Sequence, residues 1–512
     1  MPEDQEVCAF DNYCDRTIHS ISTTQDKFLS SKTSIERKEL GQFFTGSAVS
    51  DYMASMIDKI EGVDAIRILD GGAGAGILTG SLAIRCLDLG YKNVHAVLYE
   101  IDRDVITHLA HNLSLIKELF NKNNSSFSFE TKMEDLILSR PDKTEAPFHF
   151  SSINPPYFKY NSKNSPYSGA TADLFKGNPN IYASFLAVVS ACLAPNGQMV
   201  SITPRSFTNG LYFKGLRRYL SEKLSLEKIH IFSSRNKVFK NSGVLQENVI
   251  CKYVKSHQSS KVTIYSSSCE SDINNSETNV YPYEFIVDRT NEHNMTRIPE
   301  SKEDSEILKK VENWTIDFQE SGYFISTGPI VEHRAREFIT QNKLNNSVPL
   351  LRMHNLKLLN VEWTGEHKKD ARFILSPGHE KHTRKNNNYV ILKRFSSKDE
   401  KRRLVASVYD PKTIPGELIG LENHLNYIGI NEGEIQLEEA YGLASLLNST
   451  FFDKYFRCVS GNTQVNATEI RLMKLPEKEK IIAIGKSILK ANNKNQTVIN
   501  NIVNIALFSD DI

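Results

Sequence analysis

The sequence predicts an α/β domain with a mainly parallel sheet, followed by a mixed α+β region. Three observations carry that expectation. From about residue 34 to 255, short β-rich runs alternate with stretches of helical apolar spacing, the pattern of successive βαβ units. The run Ile68-Leu69-Asp70 passes directly into Gly71-Gly72-Ala73-Gly74-Ala75-Gly76, a glycine-rich loop that opens a helix. Beyond residue 303 the grammar changes to short strands joined by long connections, of which residues 368–388 are nearly all polar.

Each element follows from its residues. Residues 1–30 are polar and aperiodic and read as a flexible N-terminal arm. A catalytic-type α/β domain then spans 31–282. Its strands are expected at 66–70, 95–100, 127–131, 149–153, 198–203, 226–232, 249–254 and 262–266, and its helices at 47–60, 77–89, 104–120, 182–193 and 212–223. Residues 256–282, rich in Ser and Asn, trail off this domain, and 283–302 read as a linker. The second domain covers 303–480, with a strand at 389–395 and one long helix over 437–456. Residues 481–512 repeat Ile, Leu and Val at helical spacing and predict a C-terminal helix. No internal repeat of the solenoid kind is present.

The chain has 512 residues, 62 Lys+Arg against 61 Asp+Glu, 40% of them hydrophobic and 24% charged. That composition excludes wholesale disorder, collagen-like repeats and a fibrous coiled coil. No stretch reaches the roughly 18 uninterrupted apolar residues of a membrane helix. The first 20 residues carry acids and no apolar block, so no signal peptide is expected and the cytoplasm is the expected compartment. Seven scattered cysteines without a Cys-x-x-Cys pair predict neither a disulfide framework nor a structural zinc site, and no metal is expected. The net charge of +1 conceals an asymmetry. Residues 332–403 hold 17 Lys/Arg against 8 Asp/Glu, a local +9 that leaves −8 for the remainder. A basic region in a neutral chain marks a nucleic-acid-binding module, with a solvated basic face as the plainer alternative.

The motifs carry the chemistry. Glycines after a strand let the backbone turn sharply and approach a ligand, and the helix N-terminus behind them faces whatever binds. Asp70 opens this loop, and Gly72, Gly74 and Gly76 shape it. The next strand ends at Glu100, with Ile101 beside it, where nucleotide-type folds place an acid that accepts from ribose hydroxyls. Loop and acid predict an adenosine-containing cofactor and leave NAD, FAD and S-adenosylmethionine open. The fourth strand ends in Ser152-Ile153-Asn154-Pro155-Pro156-Tyr157-Phe158. Two prolines remove two N–H groups and stiffen the turn. The loop therefore presents carbonyl oxygens and the Asn154 side-chain oxygen, with the Tyr157 ring alongside. Such an array grips an amino group by its hydrogens and turns the nitrogen lone pair toward an electrophilic methyl. The ring can stack on the base that carries the amine.

With these motifs in this order, the sequence resembles the adenine-N6 DNA methyltransferases of type II restriction-modification systems. The resemblance is to the branch whose cofactor motifs precede the catalytic motif (the gamma order) and whose target recognition domain is C-terminal. It covers about residues 40–476. It implies a Rossmann-like S-adenosylmethionine-dependent methyltransferase domain followed by a mixed α+β DNA target recognition domain. Within Gly41-Gln42-Phe43-Phe44-Thr45, it places Thr45 on the methionine part of the cofactor. Asp70 to Gly76, Glu100 and Ile101 would hold the rest, with Asp135 on the cofactor's adenine, Leu136 against its ring and Asn154 bordering it. Asn154, Pro155, Pro156 and Tyr157 would form the catalytic signature, and Phe239 a second aromatic against a flipped adenine. Gly71 and Gly46 stand where the family often has proline, which loosens the backbone at both places.

The stretches 325–329, 348–350, 389–395 and 460–466 resemble the family's recognition domains. Lys393, Arg394, Lys401, Arg402 and Arg403 are expected to clamp phosphates. Asn462, Gln464 and Asn466 carry amides that read adenine edges or, equally, cap a turn. The resulting expectation is a monomeric enzyme that binds double-stranded DNA and no membrane, with a cognate restriction endonuclease acting on the same site without a stable complex. The first rival is an N-methyltransferase acting on RNA or on a protein glutamine, because the same turn suits any planar amide. A non-enzymatic DNA-specificity module on a dead cofactor fold is a second. A nicotinamide or flavin enzyme is a third, and nothing in the sequence resembles its hydride-transfer site.

Overall fold

A computed structural model describes residues 2–32, 45–141, 146–160, 165–176, 180–232, 247–256, 259–290, 293–396, 400–462 and 464–508. The chain folds as two compact units, Met1–Arg297 and Ile298–Ile512.

In the first unit nine strands form one sheet. They are β1 (Ala65–Asp70), β2 (Asn93–Tyr99), β3 (Ser126–Lys132), β4 (Phe148–Ile153), β5 (Leu193–Pro204), β6 (Ser225–Phe232), β7 (Asn248–Val254), β8 (Lys261–Ser267) and β9 (Glu277–Pro282). Their order across the sheet is β3-β2-β1-β4-β5-β7-β6-β8-β9. The pairs β3–β2, β2–β1, β1–β4 and β4–β5 are parallel, and β7 lies antiparallel between β5 and β6. Consecutive buried residues such as Ile68 and Leu69 in β1, or Val249, Ile250 and Cys251 in β7, show that both faces of the central strands are covered. Every strand expected from the sequence is present, within a few residues at each end.

Helix α1 (Pro2–Ser31) precedes the sheet, and α2 (Ser47–Ser55), α3 (Ile77–Asp88), α4 (Ile106–Lys122), α5 (Leu136–Ser139), α6 (Pro166–Ala170), α7 (Ile181–Cys192) and α8 (Lys214–Lys223) fall before or between the strands. Met53, Leu78, Leu82, Leu109, Leu113 and Ile116 from α2, α3 and α4 pack with Ile66, Ile68, Val94, Leu98 and Phe150 in one core. The chain leaves β1 for β2 on one side, while β4 lies on the other. The loops that follow β1 and β4 therefore diverge and open a crevice at the strands' carboxyl ends.

Two boundaries differ from the sequence expectation. Residues 1–30 are not a loose arm but most of α1. Its buried positions among the described side chains, Cys14, Thr17, Ile18, Ile21, Gln25 and Phe28, recur at helical spacing. Because two of the six are polar, the apolar stripe is diluted. Residues 283–297 are not linker but close the first unit: α9 (Tyr283–Ile286) is followed by a Val287–Thr296 bridge and a buried Arg297–Asp288 ion pair at 2.6 Å.

The second unit starts with α10 (Lys302–Glu312). It contains a four-stranded antiparallel sheet (Tyr323–Thr327, Leu425–Ile430, Tyr389–Lys393, Ala406–Tyr409) and a five-stranded sheet centred on Ser347–Leu351. The helix expected over 437–456 is two helices, α11 (Leu437–Asn448) and α12 (Thr450–Val459). Ser449 leaves the helical region (φ −67°, ψ 147°), and its hydroxyl accepts from the Phe452 N–H to cap α12. After α13 (Ala467–Arg471), the tail is likewise two helices, α14 (Lys478–Lys490) and α15 (Gln496–Phe508).

Helices α11 and α14 meet backbone to backbone. A Cβ added at Gly442 would lie 1.8 Å from the Ile481 carbonyl oxygen, and one at Gly485 would lie 1.6 Å from that of Glu438. Gly485→Ala is expected to force the helices apart and lower the unfolding free energy by about 3 kcal/mol, read from the midpoint of urea denaturation.

Candidate active site

The glycine loop is shaped by two buried carboxylates. Asp70, at the end of β1, is 2% exposed; its Oδ2 accepts from the Thr79 hydroxyl at 2.6 Å and its Oδ1 from the Gly72 N–H at 3.3 Å. Burial pushes the Asp70 carboxyl up to about 6 against those two donors. Glu100, just past β2, accepts from Gly74 N at 2.7 Å through Oε2, and from Ile101 N at 2.9 Å and Asp102 N at 2.8 Å through Oε1. Burial raises its carboxyl as well. Gly74 and Gly76 have φ of +52° and +86°, a region that residues with a Cβ seldom enter.

The loop forms one wall of an open cavity. Of the residues assigned to cofactor binding, Thr45, Gly72, Gly74, Glu100, Ile101, Asp135, Leu136 and Asn154 line it together. Asp70 and Gly76 do not. Asp70 is turned inward onto Thr79 and Gly72, so it holds the loop from behind rather than facing a ligand. Asp135 caps α5, accepting from Ile137 N at 2.8 Å through Oδ1, while its Oδ2 accepts from the Tyr167 hydroxyl at 2.8 Å. Gly71 has a packing reason: a Cβ there would stand 2.4 Å from Leu136 Cδ2. The position is closely packed, not loosened.

Sequence reasoning passed over Gln25, Tyr167, Ile181 and Phe185, which also line the cavity. They come from α1, α6 and α7, and no motif marks them. Phe158, 37% exposed, lines it too, directly after the recognised turn.

The turn after β4 stands at the cavity's edge. Asn154 Nδ2 donates to Thr45 Oγ1 at 3.0 Å, and Asn154 Oδ1 accepts from the Tyr157 hydroxyl at 2.7 Å. That hydroxyl also lies 3.1 Å from the Ile202 carbonyl oxygen. Burial holds the Tyr157 phenol well above its ordinary range, so it remains a donor. The Tyr157 ring meets Tyr182 edge-on at 6.1 Å, and Tyr182 stacks on Phe213 at 5.1 Å. Pro155 is buried and Pro156 faces the cavity. Phe239 lies outside the described residues.

In the second unit, several candidate DNA contacts turn inward. Arg403 is 2% exposed: its Nε donates to Ser396 Oγ at 3.1 Å, one Nη donates to the Asn462 carbonyl oxygen at 2.5 Å, and its guanidinium sits 5.4 Å from the Phe456 ring centre. Arg402 is engaged by Gln496 and by the Asn448 carbonyl. Arg403 is therefore not placed to clamp a phosphate, whereas Arg402 is partly exposed. The Asn462 and Asn466 amides both donate to buried Glu469, and Asn466 stands at the N-cap of α13. Lys393 and Gln464 are partly exposed. Arg394 uses one Nη on the Asn423 carbonyl. Lys401 is exposed, as are Arg334, Arg336, Lys343, Lys368 and Lys369 in the same basic window. One trio among the described residues, His354, His367 and Asp370, brings ligand-type atoms within 4.8 Å of one another. Its atoms already hydrogen-bond locally: Asp370 accepts from His354 Nε2 and Gly365 N, and His367 Nδ1 from Lys369 N.

Fold and cavity together define the class: a Rossmann-like methyltransferase domain with a mixed α+β unit after it. The chain belongs to the type II methyltransferases of restriction-modification systems. It is 35% identical to type II methyltransferase M.BsuBI of Bacillus subtilis over 463 residues, 89% of this chain and 91% of that protein. It is 33% identical to M.PstI of Providencia stuartii over 481 residues, 92% and 93% of the two chains. Residues 80–239 match the family described as Eco57I restriction-modification methylase. Among solved structures, the type IIL restriction-modification enzyme MmeI in complex with DNA shares the fold at a TM-score of 0.50 and 14% identity, over 87% of this chain and 70% of that one.

Two outcomes follow from this geometry. The folded Asp70 pKa of about 6 lies above the unfolded value of about 3.9, so the native state binds the extra proton. Its stabilising contribution is complete below pH 4 and is lost as pH rises through 6. Urea denaturation of the ligand-free protein from pH 4 to 7 is expected to show Asp70→Asn gaining on the parent by up to about 3 kcal/mol. Arg403→Met is expected to cost about 2 kcal/mol in the same assay, whereas Lys401→Ala stays within about 0.5 kcal/mol.

Proposed function

We propose that this chain is a site-specific DNA adenine-N6 methyltransferase that uses S-adenosylmethionine. The observation that carries the reading is the Asn154-Pro155-Pro156-Tyr157 turn, set at the carboxyl end of β4 on the edge of a glycine-walled cavity. The cavity suits that cofactor. Leu136 and the 56%-exposed Ile101 offer apolar surface to a flat purine, and Asp135 stands beside them. Glu100 uses three of its roughly four acceptor positions on backbone N–H groups and keeps one for a ribose hydroxyl. The cofactor, when bound, supplies an electrophilic methyl.

The protein's share is positioning. Asn154 Oδ1 and the carbonyl oxygens of the proline turn are acceptors, suited to hold an exocyclic amine by its two hydrogens, with Oδ1 doing so beside the hydrogen bond it takes from Tyr157. The nitrogen lone pair then faces the cavity. No side-chain nucleophile is required. An amine paired inside a duplex cannot reach this turn, so the adenine is rotated out of the stack at a cost of a few kcal/mol. Stacking on an aromatic such as Tyr157 or Phe239 returns roughly 1–3 kcal/mol per contact. The second unit is the target recognition domain, with Lys393, Gln464 and the exposed cations Arg334, Arg336, Lys343, Lys368, Lys369 and Lys401 available to double-stranded DNA. In this role the enzyme marks host DNA against a cognate endonuclease.

Plasmid DNA from a methylation-free host expressing this chain is expected to contain N6-methyladenine at one short sequence. Label appearing instead in RNA or in a protein glutamine would move the substrate to the rival class. Asn154→Ala is expected to lower methyl transfer by about 10²-fold or more, while S-adenosylhomocysteine affinity, read by calorimetry, changes little.

A further inference from the structure

Helix α1 contributes one polar side chain to the cavity. Gln25 is 3% exposed, and its Nε2 donates to the Thr45 carbonyl oxygen at 2.9 Å. That contact settles the orientation of the amide. A backbone carbonyl can only accept, so the nitrogen must face Thr45 and the oxygen must face the other way. Gln25 Oε1 has no donor among the described residues. A buried acceptor left without a donor is costly, and Gln25 lines the cavity where a ligand can supply one.

The helix is seated firmly enough to aim this group. Ile18 and Ile21 pack where α3 has Gly80, whose added Cβ would stand 3.0 Å from Ile21 Cδ1. Phe28 packs against Ala75 of the glycine loop and against Val105. Lys32 pairs with Asp102 at 2.6 Å, two residues beyond Glu100.

We propose that Gln25 is a cofactor-specificity residue whose Oε1 accepts a hydrogen bond from the α-ammonium of the cofactor's methionine moiety. The inference rests on the cofactor reading above. Within that reading, three groups of the cofactor can donate, and two are already matched along the cavity. The adenine amine falls to Asp135 and the ribose hydroxyls to Glu100. Gln25 is bonded to Thr45, at the end assigned to the methionine part, and the remaining donor there is the ammonium. A neutral amide oxygen satisfies that cation without adding a third carboxylate to Asp70 and Glu100.

The test is equilibrium binding to the full-length protein, by calorimetry, for three ligands: S-adenosylhomocysteine, decarboxylated S-adenosylmethionine, and 5′-methylthioadenosine, which lacks the amino-acid part. Gln25→Met keeps the length and bulk of the side chain and removes the acceptor. It is expected to weaken the first two ligands by about tenfold or more and to leave 5′-methylthioadenosine within about twofold. Unchanged affinity for S-adenosylhomocysteine overturns the proposal. So does equal weakening of all three ligands, which would mean that α1 only shapes the wall. Loss confined to the carboxylate-bearing ligand also overturns it. If Gln25→Met lowers the melting temperature, the same ratio is read from Gln25→Asn, which keeps the amide but withdraws it by one methylene. Failure of the parent protein to bind S-adenosylhomocysteine at all would instead overturn the cofactor reading itself.

Discussion

Three backbone N–H groups, from Gly74, Ile101 and Asp102, converge on the Glu100 carboxylate. One side chain thereby ties the loop after β1 to the end of β2. Asp70 performs the complementary task inside the loop, joining its entry to Thr79 on α3. Both carboxyls are buried and raised, so each is a desolvated charge held for shape. The energetic cost falls on stability, and what it secures is a cavity wall whose amides are already arranged. A binding site that is organised before its ligand arrives loses less conformational entropy on binding.

Much of the first unit was legible in the residues. Its central strands are apolar runs that a water-facing strand would not carry, and the glycine loop and proline turn punctuate them at the sheet's carboxyl edge. Helix α1 was not legible, because Thr17 and Gln25 sit in its buried stripe and break the apolar period. One of the two residues that obscured the helix is the one proposed to give it a function. The end of the first unit was misplaced for a related reason: residues 283–297 are held by backbone pairing and by the Arg297–Asp288 pair, neither of which leaves an apolar pattern.

The second unit resisted reading for a different reason. A run such as Lys401-Arg402-Arg403 shows its charge but not its direction. Arg403 enters the core because Ser396, the Asn462 carbonyl and the Phe456 ring receive it, and all three are brought there by tertiary packing. Asn462 and Asn466 look like base-reading amides in isolation. Both converge, together with the Ser460 hydroxyl, on Glu469, a buried acid 4% exposed that needs donors there. Within such a unit, polar residue type does not separate surface from interior. Only the list of partners does.

Asn154 connects these arguments. Its two amide atoms are fixed by different neighbours: Nδ2 by Thr45, which also carries the Gln25 contact, and Oδ1 by Tyr157, whose hydroxyl is backed by the Ile202 carbonyl. The amide therefore cannot rotate to offer its nitrogen to a substrate amine. Behind Tyr157, the edge-on contact to Tyr182 and the Tyr182–Phe213 stack leave the phenol little room to withdraw. An incoming amine would find Asn154 Oδ1 already oriented by its hydrogen bond from Tyr157. Through Thr45 that orientation is shared with the wall on which Gln25 sits. On the proposed reading, the group that grips the substrate and the group that grips the cofactor's methionine end are braced by the same residue. Placement of the two reactants then becomes a single structural problem, and Thr45 lies at its centre.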